Sequence, residues 1–130
     1  MNPKTQDNLL KAMHGEAFAF VKYTLFAQKA RQNGREELAA LFETTAQIER
    51  LEHFAEEAEL AGLVGNDDDN LRDAIQGESY EVDTMYREFA EQASAAGDAD
   101  AAARFAEVGR DEMGHRDAFK AALQKIKLAR

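Results

Sequence analysis

The amino-acid sequence predicts an all-α fold, an antiparallel four-helix bundle made of two helical hairpins that repeat one another. Three observations carry this. The only proline in 130 residues is Pro3, so nothing downstream bars a helix, and the chain is rich in the strong helix formers Ala, Glu, Gln, Lys, Leu and Met. Breaks occur at "QNG" around Gly34, at "GLVGNDDDN" over 62–70 and at "AAGDAD" around Gly97. Finally, the stretch beginning at Tyr23 aligns with the one beginning at Met85, pairing Tyr23 with Tyr86, Phe26 with Phe89, Gly34 with Gly97, Phe42 with Phe105 and Glu49 with Glu112, each pair 63 apart. A length of 130 residues is that of one domain, spanning 1–130, with enough chain for a core without staples.

Taken in order, the helices are expected near 5–32, 35–62, 68–95 and 98–127. The glycine in each break suits a left-handed C-terminal cap, and the second and third breaks also offer Asn or Asp to open the next helix. Apolar residues recur at helical spacing: Phe18, Leu25 and Phe26 on the first helix, and Leu38, Leu41, Phe42 and Ile48 on the second. Val82, Met85 and Phe89 do so on the third, and Phe105, Val108 and Phe119 on the fourth. Short connections between long helices favour antiparallel neighbours. Upstream of the tyrosines the repeat slips, because Gly15-Glu16 matches Gly77-Glu78 at a separation of 62. One residue inserted into the third helix is expected to be absorbed as a π-bulge, with an i→i+5 hydrogen bond between residues 78 and 86.

Composition excludes several function classes. A net charge of −9, with 16 Lys and Arg against 25 Asp and Glu, argues against nucleic acid and against anionic membrane surfaces. No stretch approaches the roughly 20 apolar residues that span a bilayer, and the first residues lack the basic-then-apolar pattern of a secretory leader. A cytoplasmic protein is expected. With no cysteine, disulfides, thiol catalysis and thiolate metal sites are all absent. Any bound metal must be held by oxygen and imidazole.

The acidic residues are arranged for that purpose. The second and fourth helices carry Glu49-x-x-Glu52 and Glu112-x-x-His115, and the first and third carry Glu16 and Glu78, with Glu81 one turn after Glu78. Residues three apart share a side of a helix, so each pair presents two donors to one ion. Glu49 and Glu112, equivalent under the repeat, are natural bridges between two ions, and Glu16 and Glu78 terminal ligands. Drawing so many carboxylates together without cations costs several kcal/mol per ion or forces protonation. Oxygen ligands with one or two imidazoles suit iron or manganese. Solvated helix faces also carry such pairs, and the specificity lies in four helices each contributing a glutamate at repeat-related positions.

His53, four residues after Glu49, could be a ligand if the helix is distorted there, but a supporting or interface position is preferred, and His14 is not expected to bind metal. Tyr23 and Tyr86 lie two turns beyond Glu16 and Glu78, where their hydroxyls suit the orientation of metal-bound carboxylates. Asp67-Asp68-Asp69 lacks the remainder of a calcium loop and is expected to cap a helix.

The stretches "GEAFAFVKYTLFAQKA", "AIQGESYEVDTMYREFAEQA" and "DEMGHRDAF" resemble the ferritin-like di-iron domain of the rubrerythrin family, over nearly the whole chain. The resemblance implies a ferritin-like bundle with Glu16, Glu49, Glu78, Glu81, Glu112 and His115 as ligands to two iron ions, manganese being the alternative at either position. In the family a histidine three residues after the second-helix glutamate is thought to exchange with the glutamate matching Glu81 as the iron changes oxidation state. That position is Glu52 here, which puts the exchange in question and makes the site more similar to the symerythrin branch. The added negative charge should lower the reduction potential.

The resemblance further implies a peroxidase or oxidase that reduces hydrogen peroxide or dioxygen in defence against oxidative stress. Glu52 or Glu81 would handle the proton, with Tyr23 and Tyr86 beside the site. Lacking the cysteines of a rubredoxin-like domain, the chain would need an external electron donor such as a rubredoxin-like protein. A homodimer or larger homo-oligomer is expected, with hairpins paired inside one chain or swapped between two. Two rival readings are an Fe(II)-oxidising storage or metal-handling protein and a metal-free helical interaction module.

Overall fold

The computed structural model describes residues 1–130, and every regular element in it is helical. The chain divides into two compact units, Met1–Val64 and Gly65–Arg130. Each is a helical hairpin.

In the first unit, α1 (Pro3–Gln32) opens where the Asn2 side chain accepts the Lys4 N–H at 2.8 Å, with Pro3 at the first position, where its missing N–H costs nothing. The return arm begins as α2 (Glu36–Ile48), passes through a π turn (Glu49–Phe54) and continues as α3 (Ala55–Ala61). The second unit mirrors this with the irregularity on its first arm: α4 (Asp67–Tyr80), a π turn (Glu81–Met85), α5 (Tyr86–Ala96), then α6 (Ala99–Leu128).

Each of the three helix ends at a break closes with glycine at positive φ, +72° at Gly34, +65° at Gly62 and +84° at Gly97. The following amide reaches back to satisfy a carbonyl of the last turn, as in Arg35 N to Ala30 O at 2.9 Å. At the second break Asn66 is the cap, accepting the Asp69 N–H at 2.9 Å, so Asp67 to Asp69 form the first helical turn rather than the cap. Asp98 stands at the start of α6 without a side-chain capping bond.

A two-helix hairpin has a single interface, and small residues let its arms approach closely. In the first unit Ala27, Ala30 and Ala39 are buried together, with Phe42 packed against them. Two aromatic trios, Tyr23–Phe26–Phe42 and Tyr86–Phe89–Phe105, occupy the same place in the two hairpins, with ring centroids 5.4–6.2 Å and 5.5–6.5 Å apart. Gly109 completes the second hairpin, since a Cβ there would stand 3.3 Å from Tyr86 Cβ. Phe18, Leu25 and Leu41 lie outside the stripe between the arms and are exposed. Arg31 clamps the first hairpin near its turn, donating to Glu43 at 2.5 and 3.2 Å and to Glu36 at 3.1 Å. In the second, Arg116 on α6 reaches Asp83 in the π turn at 3.2 Å, and Arg130 pairs with Asp68.

The π turn expected in the third long helix is present over Glu81–Met85, and the Tyr86 N–H donates to Glu81 O, five residues back. That bond lies within the expected span of residues 78 to 86. The π turn at Glu49–Phe54 has no forerunner in the sequence reading, and it reshapes the site.

Candidate metal centre

Each hairpin gathers one triad of the same composition. Glu16 from α1 meets Glu49 and His53 from the first π turn, and Glu78 from α4 meets Glu112 and His115 from α6, the donor atoms of each triad lying within 4.8 Å of one another. In the first, His53 Nδ1 is 3.5 Å from Glu16 Oε2 and 3.4 Å from Glu49 Oε2. In the second, His115 Nδ1 is 3.8 Å from Glu78 Oε1 and 3.0 Å from Glu112 Oε2. The four carboxylates are sheltered, with side chains 16–24% exposed, while the two imidazoles are 50% and 60% exposed. Each triad thus has an acidic floor and a basic rim.

The structure places His53 where the sequence reading placed Glu52. A π turn closes i→i+5, so it takes about one residue more than an α turn, and the side chain beneath Glu49 is then the fourth along rather than the third. Glu52 is exposed and outside the triad. The second hairpin keeps α geometry at this point and uses Glu112-x-x-His115. The register records the difference: Glu49 and Glu112 are 63 apart, but His53 and His115 are 62 apart.

The other candidate residues divide. Glu81 is half-buried beside the second triad, and its pKa is raised by burial first and then by the charge of Glu112. Tyr86 is also raised, by burial and then by Glu81, Glu112 and Glu78, which places its hydroxyl in the field of those carboxylates. Tyr23 is half-buried in its aromatic trio. Neither hydroxyl makes a hydrogen bond to a carboxylate of its own hairpin. His14 is exposed and apart from both triads.

The triads are poorly balanced without a cation. A hydrogen bond shared with Glu112, reinforced by burial and by the charges of Glu112 and Glu81, pushes Glu78 up to about 7, and the same bond holds Glu112 low. The pair therefore favours sharing one proton, with Glu78 its preferred holder. Glu16 is raised and Glu49 lowered for the same reason, chiefly through their shared hydrogen bond. His115 is raised, first by its bond to Glu112. For His53, burial acts downward, but Glu49 and Glu16 together outweigh it and the net shift is up. Oε2 of Glu78 is sealed from solvent with no hydrogen-bond partner. Two carboxylates sharing a proton, an orphaned oxygen and an adjacent imidazole form a donor set that fits a hard or borderline divalent ion such as iron or manganese.

Sequence reasoning preferred Glu52 and allowed His53 into the site only if the helix is distorted, and the π turn at Glu49–Phe54 is such a distortion. The signal was present in the spacing of the histidines, which departs by one from that of the glutamates.

Comparison with known proteins finds relatives over most of the chain. The rubrerythrin family model matches residues 7–53 and 47–123. A rubrerythrin of Porphyromonas gingivalis is 35% identical over 136 residues, covering 95% of this chain and 68% of its own. Nigerythrin of Nitratidesulfovibrio vulgaris is 33% identical over 135 residues, covering 94% and 67%. A solved structure of nigerythrin in its fully reduced, all-ferrous state is 34% identical, covering 95% of this chain and 67% of that one, with a TM-score of 0.49. With its family model matched along most of its length and its carboxylate and imidazole triads assembled on both hairpins, the chain belongs to the rubrerythrin family.

Proposed function

We propose that the protein is a non-haem di-iron oxidoreductase that reduces hydrogen peroxide or dioxygen with electrons from an external donor. The observation that carries this is the duplication of one Glu-Glu-His triad on two repeat-related hairpins of a rubrerythrin-family chain. Glu16, Glu49 and His53 would hold one ion, and Glu78, Glu112 and His115 the other, with Glu81 beside the second. We read residues 1–130 as a single ferritin-like domain in function, because each hairpin supplies one half of the ligand set.

Bound iron would supply one electron per ion, matching the two-electron demand of an O–O bond. The chain's own groups supply protons and charge balance. The Glu78–Glu112 pair holds one proton near neutral pH, and metal binding displaces it. Glu81, half-buried with its pKa raised, is the group best placed to take up and deliver a proton at its carboxylate. Tyr86, half-buried, lies in the field of the same carboxylates. Glu52, exposed on the π turn, is too far out of the triad to be preferred over Glu81.

The test is anaerobic reconstitution of the full chain with Fe(II), followed by addition of hydrogen peroxide and a chemical reductant. Two irons per chain, or per pair of triads, and many turnovers of peroxide without mineral growth are expected. A large iron-filled assembly would instead establish storage, and a chain that retains no iron would leave only a helical interaction module.

A further inference from the structure

We propose that Glu57 is an additional metal-binding carboxylate of the first triad, standing where the second hairpin has a phenylalanine. This rests on the di-iron reading above. Glu49, His53 and Glu57 follow one another at four-residue intervals through the π turn and into α3, so they lie along one stripe of the arm that faces α1. Oε2 of Glu57 is sealed from solvent and has no hydrogen-bond partner, and no lysine, arginine or histidine forms an ion pair with the side chain. Only one other carboxylate oxygen is left in that condition, Oε2 of Glu78 in the second triad. The orphaned acidic oxygens therefore fall one to each hairpin, that of Glu78 within the second triad and that of Glu57 on the residue four after His53.

Glu57 stands one helical turn beyond His53 on the same arm, so the two side chains are neighbours on one face. A carboxylate buried without a donor is costly, and it is retained at low cost only where a cation completes it. The Arg31 and Arg116 clamps are occupied by Glu43, Glu36 and Asp83, so neither provides one.

The repeat makes this carboxylate specific to one ion. At the separation of 62 that relates His53 to His115, Glu57 corresponds to Phe119, which is half-buried on α6. In the second hairpin the extra carboxylate is Glu81, which comes from the opposite arm, and the residues 62 and 63 positions before it are Ala19 and Phe18. Each triad would thus acquire a third carboxylate, from the return arm in the first hairpin and from the outgoing arm in the second. The two ions would share a ligand chemistry but differ in the arm that supplies the third carboxylate.

The experiment is a calorimetric titration of the metal-free full chain with Mn(II), which does not oxidise in air, on wild type, E57Q, E57D and the exposed neighbour control E56Q, with melting temperatures recorded with and without the ion. Wild type is expected to bind two ions per chain. E57Q should weaken one of them by about tenfold or more and leave the other unchanged, E57D should fall between, and E56Q should match wild type. The metal-free E57Q protein should melt no lower than wild type, because it loses an unpaired carboxylate, whereas its Mn(II)-induced rise in melting temperature should shrink. Two ions bound with wild-type affinity in E57Q, or an equal weakening of both, would overturn the assignment of Glu57 while leaving the di-iron reading intact. A wild type that binds no Mn(II) and no Fe(II) would instead remove the di-iron reading itself, and with it this inference.

Discussion

Replacing Glu78 with glutamine tests the electrostatics of the second triad directly. Glu78 is held up to about 7 against an ordinary value of 4.5, because in ionised form it confronts Glu112 in a sheltered site. Between those two values the folded protein binds more protons than the unfolded chain, so the stability contributed by this group is fully present below pH 4.5 and is lost as pH rises through about 7. The rise corresponds to a ceiling of roughly 3 kcal/mol. Glu112, displaced downward by the same bond, stays ionised in both states above pH 5 and does not offset this; discounted for the partial exposure of the site, a loss of about 1–2 kcal/mol is expected. Glutamine keeps an N–H donor toward Glu112 at every pH, so in E78Q that loss should disappear. The assay is urea denaturation of both proteins with a chelator present at pH 5 and pH 8. E78Q should gain about 1–2 kcal/mol on wild type between the two conditions. An identical change in stability in the two proteins would refute the shared proton.

Other outcomes follow from the same geometry. His53→Ala should cost one bound metal ion per chain while Glu52→Ala costs none, as read by metal analysis after dialysis; loss of an ion from Glu52→Ala alone would restore unbroken α geometry in the second long helix. Fe(II) or Mn(II) at a hundredfold excess over its Kd should stabilise the protein by about 2.7 kcal/mol, and E49Q or E112Q should remove most of that effect in thermal melts. Gly109→Ala should destabilise the fold by about 1–2 kcal/mol relative to Gly114→Ala, because a Cβ at 109 meets Tyr86 Cβ at 3.3 Å whereas one at 114 enters open space. Equal melting temperatures for those two variants would show that the close contact of α5 and α6 is not limiting.

The all-α class, the four long helices and their glycine-capped ends were all legible in the residues. These features depend on local propensity and on the left-handed conformation that Gly34, Gly62 and Gly97 adopt at little cost. The repeat was equally legible, and it pointed to Glu16, Glu49, Glu78, Glu112 and His115 as inward-facing groups; the hairpins do shelter the four glutamates, while His115 stands exposed at the rim of its triad. The one-residue slip between Glu16 and Tyr23 against Glu78 and Tyr86 even foretold a π turn in the third long helix.

What the residues did not reveal is the second irregularity, at Glu49–Phe54, and with it the exchange of Glu52 for His53 as the third member of the first triad. Both side chains follow Glu49 closely enough to serve, and the only mark in the sequence that separates them is the one-residue difference between the spacing of the histidines and that of the glutamates. The choice was made by tertiary contact. Packing of the return arm against α1 sets the helical phase at which Glu49 meets Glu16, and the extra residue taken up by the π turn then swings the imidazole inward and the carboxylate out to water. Glycines, helix formers and repeated glutamates act through local chemistry and can be read one residue at a time. The phase of a helix against its neighbour is decided only when the two surfaces meet.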